Sequence, residues 1–310
     1  MKSKVIVIVG PTACGKTSLS VALAKKFDGE IISADSMQIY RGMDIGTAKV
    51  TPEQMEGVPH HMIDVVDPQQ DFSLADYLRL ARECAEKIIS RGKLPFLVGG
   101  TGLYVSSFTE NVSLSEESPD PEYREYLNSV ARENGGAAVK KLLEEIDPES
   151  YASLNDNDIK RIIRALEVYR ATGKTIGQLN RESKSESPYE FLKFGLSFAD
   201  RQLLYGSIND RVDEMFDRGL VGEISDLGFG SLSRTARQAI GYKQFEPYLN
   251  GETDIDSVKE QIKKDSRHYA KRQLTWFRRD KDIIWMNNDE ISHEEMLKKC
   301  EQIISKFIKN

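Results

Sequence analysis

The chain has 310 residues and a net charge of −6, with 39% apolar and 30% charged residues. Its length predicts one large domain with an insertion, or two domains. No run approaches the roughly 20 apolar residues of a membrane span and no signal-peptide pattern is found, so we expect a cytoplasmic protein with no membrane partner. The spacing of the three cysteines, Cys14, Cys84 and Cys300, argues against a disulfide framework and a zinc site.

A strand, a glycine-bounded loop and a helix are predicted for the first 25 residues. The apolar run 5–9 ends in the motif G-x-x-x-x-G-K-[ST], and a helical pattern follows at 18–25. The backbone N–H groups of such a loop and the positive end of its helix bind phosphate. Lys16 adds a mobile charge, and the Thr17 hydroxyl can ligate Mg²⁺. The expected phosphate-binding loop is Gly10, Pro11, Thr12, Ala13, Cys14, Gly15, Lys16 and Thr17.

A second buried strand is predicted at residues 31–32, with Asp35 at its end. In a parallel sheet Asp35 would lie at the carboxyl edge beside the loop, where ligands bind, although it could instead cap the next turn. A helix at 73–90 and a strand at 95–100 follow, and Thr101 comes next. Its hydroxyl is expected to face the same site, to cap the following helix, or to do both.

Residues 113–188 show no strand signal, and charged segments with helical periodicity replace the strands. We predict helices at 122–133, 137–146 and 158–172. This change of character predicts an α-helical insertion into an α/β core made of residues 1–112 and 189–310.

The remaining chain returns to the sheet with a predicted strand at 191–198, a helix at 203–219 that contains Arg211, and a last strand at 283–285. Before that strand, a long helix with Tyr269 and Trp276 is predicted at 259–279.

Basic residues are concentrated in two places. Residues 259–281 contain nine Lys or Arg against three acids, and residues 160–174 contain five against one. Each run is either a solvated helix face or a surface for nucleic acid.

A phosphate loop alone is compatible with several activities. No N-K-x-D segment supports a GTP switch, and the strand at 95–100 ends in glycines where a motor ATPase has acidic residues. A small-molecule kinase with Asp35 as Mg²⁺ ligand or base stays open. So does a nucleic-acid-binding module that uses nucleotide only structurally.

Seven blocks in chain order resemble the bacterial tRNA dimethylallyltransferase family, also called the tRNA isopentenyltransferases. The block at 35–49 is far more specific than the phosphate loop. Cys14 stands where the family often has serine, and the C-terminal zinc finger of eukaryotic members is absent. The blocks are GPTACGKT (10–17), DSMQIYRGMDIGTAK (35–49), PHH (59–61), GGTGLY (99–104), RIIRALE (161–167), IGYK (240–243) and KRQLTWF (271–277).

The resemblance implies a parallel sheet of the P-loop NTPase type, flanked by helices. It implies transfer of a dimethylallyl group from dimethylallyl diphosphate to N6 of the adenosine 3′-adjacent to the anticodon, in tRNAs that read codons beginning with U. The loop would then hold the diphosphate of the donor. The expected tRNA contacts are Asp35, Ser36, Met37, Gln38, Thr101, Arg124, Ile159, Lys160, Arg161, Ile162 and Ile163.

The residues account for this chemistry. Adenine N6 is a poor nucleophile, so Asp35 is expected to take its proton. The loop N–H groups, Lys16 and a Mg²⁺ held through Thr17 would stabilise the departing diphosphate. Arg211 is added by the resemblance, and Thr101 would bond the base or the diphosphate. We expect a monomer, because no long heptad run is present, and salt-sensitive tRNA binding.

Overall fold

A computed structural model describes residues 2–112, 120–182 and 186–309. The chain divides into two compact units, Met1–Thr109 with Ser187–Asn310, and Glu110–Glu186. The predicted limits of the insertion, 113 and 188, lie within three residues of this division, and residue 113 itself is outside the described residues.

The first part of the larger unit alternates strands and helices, as the sequence predicts. Ser73 caps α3 by accepting a hydrogen bond from the Asp76 N–H, which fixes the predicted start of that helix. The elements are β1 Ser3–Val9, α1 Lys16–Lys26, β2 Gly29–Ser33, α2 Pro52–Met55, β3 His60–His61, α3 Leu74–Ser90, β4 Leu94–Gly99 and α4 Gly102–Thr109.

The smaller unit contains α5 Pro121–Lys141, α6 Pro148–Ser153, α7 Ile159–Thr172 and α8 Ile176–Glu182. Two of its predicted boundaries are wrong. α5 continues through the expected break, with only Gly135 outside helical geometry, and it ends before residue 146. Asp147 and Pro148 begin α6, since aspartate caps a helix and proline fits its first turn. α8 is also absent from the predicted elements.

The chain then returns to the larger unit. The amphipathic α13, with Met296, Cys300 and Ile304 buried, has no counterpart among the predicted elements. The elements are β5 Tyr189–Ser197, α9 Arg201–Asp217, α10 Leu220–Leu227, 3₁₀ turns at Phe229–Ser231, Ala236–Gln238 and Lys243–Phe245, α11 Glu246–Leu249, α12 Ile255–Phe277, β6 Ile283–Asn287 and α13 His293–Lys309.

The six strands form one parallel sheet in the order β3-β2-β4-β1-β5-β6. Alternate residues of β1 face opposite sides: Ile6 and Ile8 join a core with Leu19 of α1 and Ile304 of α13. On the other face α3 packs against β2 and β4. Helices therefore cover both faces of the sheet, and the predicted α/β fold class is confirmed.

The strand register brings the carboxyl ends of the strands to one edge. Val9 pairs with Gly99 of β4 and with Gly195 of β5, and Ser197 pairs with Asn287 of β6. The loops after β1, β2 and β4 therefore meet where ligands bind in open α/β sheets. Among the described residues, every helix is either too short or too polar to span a lipid bilayer.

Candidate functional site

The phosphate loop has a backbone that its two motif glycines make possible. Gly10 has φ 149°, and a Cβ there would collide with the Leu196 carbonyl oxygen. Gly15 has φ 78°, a left-handed conformation, directly before α1. Both positions thus require glycine, and the turn between strand and helix is tight.

The amides of the loop are available to a ligand. Across the described residues, no backbone N–H of residues 13–18 donates to a protein oxygen. α1 has no side-chain cap and no acid in its first turn. Consecutive N–H groups without an oxygen acceptor at the positive end of a helix are suited to binding an anion, so the phosphate-binding role stays a prediction.

Two side chains that are distant in sequence anchor this loop by hydrogen bonds to its backbone. Gln273 of α12 accepts from the Thr12 N–H at 3.0 Å and donates to the Gly100 carbonyl at 2.9 Å. Asn288, after β6, donates from Nδ2 to the Cys14 carbonyl at 3.0 Å. Neither anchor is predicted above; Gln273 lies in the 271–277 block, whereas Asn288 has no local signal.

A cavity of about 750 Å³ opens at this edge of the sheet. Apolar side chains of Val21, Ile31 and Val98 form part of its wall. Most predicted site residues of this unit line it, whereas Gly10, Pro11 and Thr101 do not. The predicted residues in the lining are Thr12, Ala13, Cys14, Gly15, Lys16, Thr17, Asp35, Ser36, Met37, Gln38 and Arg211.

Lys16 and Arg211 lie in the lining, and neither is neutralised by a direct ion pair with a carboxylate of the described residues. Lys16 Nζ donates to the Pro11 carbonyl at 2.6 Å, and Arg211 Nη2 lies 3.5 Å from the Ala48 carbonyl. In the described part of the chain, neither makes an ion pair. Burial lowers the pKa of Arg211, and the charge of Asp35 opposes that shift. The guanidinium stays charged, so the cavity favours an anion.

Asp35 uses one oxygen for structure and has the other available. Its Oδ1 accepts from the N–H groups of Met37 at 2.8 Å and Gln38 at 3.3 Å, which confirms the capping alternative. Among the described residues, no donor is bonded to Oδ2. Asp35 is partly exposed in the cavity lining, so a general-base role for Oδ2 stays a prediction.

Thr101 acts through its neighbours. Its Oγ1 accepts from the Ser36 N–H at 3.0 Å and lies 3.3 Å from Ser36 Oγ. Burial raises the pKa of Tyr269 to about 12, while hydrogen bonds of Tyr269 with Thr101 and Gln273 oppose the rise. Thr101 therefore ties the end of β2 to the start of α4, and its hydroxyl is committed to protein groups.

Residues 37–49, which we call the strap, contribute another part of the cavity wall through their two ends. Gln38, Thr47 and Ala48 line the cavity. Lys49, only 7% exposed, makes ion pairs with Asp44 and with Asp64. The strap is thus an ordered segment with a buried, compensated charge at its end.

Charges on α12 are divided between packing and solvent. Lys259 and Lys263 pair with Asp213 of α9 at 2.7 and 2.9 Å. Arg272 lines the cavity, and Lys271 is exposed; for neither is an ion pair found among the described residues. Trp276 of α12 packs against α4, with its Nε1 donating to Ser106 Oγ at 2.9 Å, whereas Tyr269 lines the cavity.

In the smaller unit, the predicted tRNA contacts fall into two groups. Lys160 and Arg161 are exposed on α7, whereas Ile162 and Ile163 are buried in the core and Ile159 packs against it. Arg124 donates from Nε and Nη2 to the buried carboxylate of Glu167 at 2.6 and 2.9 Å. The contiguous range 159–163 that the resemblance implies therefore combines core and surface side chains of α7.

Comparison with known families gives matches over most of the chain. A family model described as IPP transferase matches residues 38–280, and one described as isopentenyl transferase matches residues 3–67. A tRNA dimethylallyltransferase of Carboxydothermus hydrogenoformans is 48% identical over 96% of both chains. One of Geobacillus thermodenitrificans is 47% identical over 98% of this chain and 96% of its own.

Solved structures are similar throughout the fold. The full-length tRNA isopentenylpyrophosphate transferase of Bacillus halodurans is 42% identical with a TM-score of 0.74, covering 98% of this chain and 96% of its own. A eukaryotic dimethylallyltransferase described as acting on tRNA is 29% identical with a TM-score of 0.81, covering 98% and 80%.

Proposed function

This chain belongs to the IPP transferase family, and we propose that it transfers a dimethylallyl group from dimethylallyl diphosphate to N6 of the adenosine 3′-adjacent to the anticodon of tRNA. The proposed substrates are tRNAs that read codons beginning with U. The observation that carries the proposal is a phosphate cradle with Lys16 and Arg211, two cations that form no direct ion pair among the described residues, in one cavity with the carboxylate of Asp35.

The donor fits this cavity in two parts. The diphosphate would accept hydrogen bonds from the amides of residues 13–18 and from Lys16 and Arg211. These groups are already in place, so they can stabilise the charge that develops as diphosphate leaves. The apolar wall of Val21, Ile31 and Val98 suits the hydrocarbon part. A nucleoside triphosphate is not required.

The acceptor is activated by proton removal. The N6 lone pair attacks the donor carbon, the C–O bond to diphosphate breaks, and Asp35 Oδ2 takes the N6 proton. General-base catalysis of this kind contributes about 10²–10⁴-fold. The adenine must leave its stack to enter the cavity, at an expense of a few kcal/mol that a single-stranded anticodon loop reduces.

Mg²⁺ fits the donor set as a partner of the diphosphate. The described residues contain no cluster of three or more His, Cys, Asp or Glu that could hold a metal by itself. Thr17 offers a hydroxyl oxygen in the cavity lining, and Mg²⁺ in phosphate sites takes few protein ligands. Bound there, the ion would neutralise part of the diphosphate charge.

The tRNA would be held through phosphates. Lys160 and Arg161 on α7 and Lys271 and Arg272 on α12 are exposed basic residues suited to that task. Such contacts release counterions, so binding should weaken steeply as salt rises. We propose that the protein acts as a monomer in the cytoplasm.

The test is incubation with labelled dimethylallyl diphosphate, Mg²⁺ and an unmodified tRNA, with a matched tRNA carrying guanosine at the target position as control. We expect label only in the adenosine-containing tRNA, with one diphosphate released per group transferred. Absence of label, together with ATP turnover on a small acceptor, would overturn the proposal in favour of a kinase.

A further inference from the structure

The carboxylate of Glu223, on α10, binds three consecutive amides of the strap. Its Oε2 accepts from the N–H groups of Asp44 at 2.8 Å and Ile45 at 2.6 Å, and its Oε1 accepts from the Gly46 N–H at 2.9 Å. The Tyr242 hydroxyl donates to the same Oε1 at 2.6 Å. Four hydrogen bonds to one carboxylate form a rigid junction, because bonds to a charged acceptor are short and strong.

The backbone and the Tyr242 ring are packed closely around this junction. A Cβ on Gly46 would lie 2.5 Å from the ring of Tyr242, and one on Gly241, at φ 98°, would lie 3.1 Å from the Gly46 carbonyl. Both glycines are needed for the strap to approach Tyr242 so closely. Lys49 fixes the far end of the strap through Asp44 and Asp64.

Two carbonyls of the strap connect it to side chains that line the cavity. The Ala48 carbonyl accepts from Arg211 Nη2 at 3.5 Å and from Gln38 Nε2 at 3.4 Å, and the Thr47 carbonyl also accepts from Gln38 Nε2 at 3.4 Å. Because these hydrogen bonds are long, a small shift of either carbonyl would break them. Glu223 itself is not part of the cavity lining.

We propose that Glu223 is a positioning residue, which fixes the strap so that the Ala48 and Thr47 carbonyls aim Arg211 and Gln38 into the cavity. The inference rests on the proposed function for the role of Arg211 toward diphosphate. Its alternative is a purely structural bond between α10 and the strap, which would stabilise the fold without setting the geometry of the site.

The first test compares Glu223→Gln with Asp226→Asn, which removes an exposed carboxylate from the same helix. In Glu223→Gln the new amide NH₂ faces backbone donors, so the strap should loosen. We expect faster hydrogen–deuterium exchange over residues 44–48, weaker binding of inorganic diphosphate, and kcat/KM reduced about 100-fold, as for a misplaced positioning group. Asp226→Asn should match wild type in all three.

A double-mutant cycle separates positioning from structure. If Glu223 acts through Arg211, adding Glu223→Gln to Arg211→Ala should weaken diphosphate binding little further. Additive losses, or Glu223→Gln equal to Asp226→Asn while wild type labels tRNA, would overturn the inference but leave the proposed function intact. If wild type labels no tRNA, the proposed function fails, and exchange and diphosphate affinity still test the junction.

Tyr242→Phe is the milder variant in case Glu223→Gln does not fold. It removes one donor to Glu223 Oε1 and leaves the three amide bonds in place. We expect measurably faster exchange over residues 44–48 and a smaller loss of diphosphate affinity that disappears in the Arg211→Ala background. Unchanged exchange and affinity in folded Tyr242→Phe would overturn the inference.

Discussion

The phosphate loop and the strap both line the cavity, yet they use their backbones in opposite ways. No amide of residues 13–18 is bonded to a described protein oxygen, and the loop is held from behind by Gln273 and Asn288. In the strap, the amides of residues 44–46 are occupied by Glu223. The loop backbone is thus suited to binding an anion, whereas the strap backbone is anchored by a carboxylate of the protein.

The lysines of the two segments differ in the same sense. Lys16 has no carboxylate partner in the described residues and is bonded to a loop carbonyl. Lys49 is buried and bridges Asp44 and Asp64. An uncompensated charge at a cavity is available to a ligand, whereas a compensated buried one is structural. Substitutions in the loop should therefore act on ligand affinity, and substitutions in the strap on order.

Asp35 should give the largest effect, because it caps the start of the strap and is also the proposed base. Asp35→Asn keeps an oxygen that can accept from Met37 and Gln38, but it cannot take the N6 proton. We expect kcat to fall about 10²–10⁴-fold, the contribution of a general base, with tRNA affinity and thermal stability retained. Single-turnover labelling of tRNA measures the chemical step directly.

Asp35→Ala is the companion variant. It loses the cap as well as the base, so it should also lower thermal stability. If Asp35→Asn instead loses tRNA binding and keeps the single-turnover rate, then Asp35 is a recognition residue and the strap begins with a substrate contact.

Lys16→Ala tests the loop side of the comparison. Removing a charged hydrogen bond to diphosphate should lower its affinity roughly 10- to 100-fold, from about 1.5–3 kcal/mol per such bond. Calorimetry with inorganic diphosphate measures this, and tRNA affinity should not change. Lys26→Ala, at the other end of α1 and largely exposed, is the matched control. Equal affinities of the two variants would refute the diphosphate assignment.

The division between loop and strap also marks what the sequence can predict. The loop is a local structure, since its glycines, its lysine and the start of α1 are adjacent in the chain, and its conformation follows from the motif. Both readings of Asp35 could be stated because an aspartate after a strand has few local options. The edge of the sheet follows from parallel strands alone.

The groups that hold these segments depend on contacts between distant residues. Gln273 is 261 residues from Thr12, and Glu223 is 177 residues from Gly46. No periodicity or spacing joins such pairs. Gly46 shows the same limit: the sequence gives no local reason for glycine at this position, whereas the structure explains it by the ring of Tyr242. The predicted break between residues 133 and 137 was wrong because Gly135 kinks α5 without ending it.

Gly46→Ala introduces a steric clash between the strap and the ring of Tyr242. The added methyl has no room, so we expect a loss of about 1–3 kcal/mol in unfolding free energy, typical of overpacking. Diphosphate affinity should change less than in Lys16→Ala. Gly222→Ala is the control: it lies in α10 with nothing within 4 Å of the new Cβ, and alanine should be neutral or slightly stabilising. Denaturant unfolding of both variants makes the comparison.

Asn288→Ala should give the smallest effect, because it removes one of two anchors behind the loop. The bond to the Cys14 carbonyl is neutral, and its loss costs about 1 kcal/mol. If that free energy is needed to order the loop when diphosphate binds, the affinity falls roughly fivefold. Calorimetry measures the change. Asn287→Ala removes the neighbouring amide, which donates to Glu290, and serves as control.

The direction of the Asn288 result tests the comparison itself. If the loop is held only to present its amides, then Asn288→Ala should weaken diphosphate binding and leave unfolding free energy nearly unchanged, since Gln273 still bonds to the Thr12 N–H. If instead stability falls and affinity does not, then Asn288 joins β6 to the loop in the way that Glu223 joins α10 to the strap. The two walls of the cavity would then be held alike, and only the amides of residues 13–18 would distinguish them.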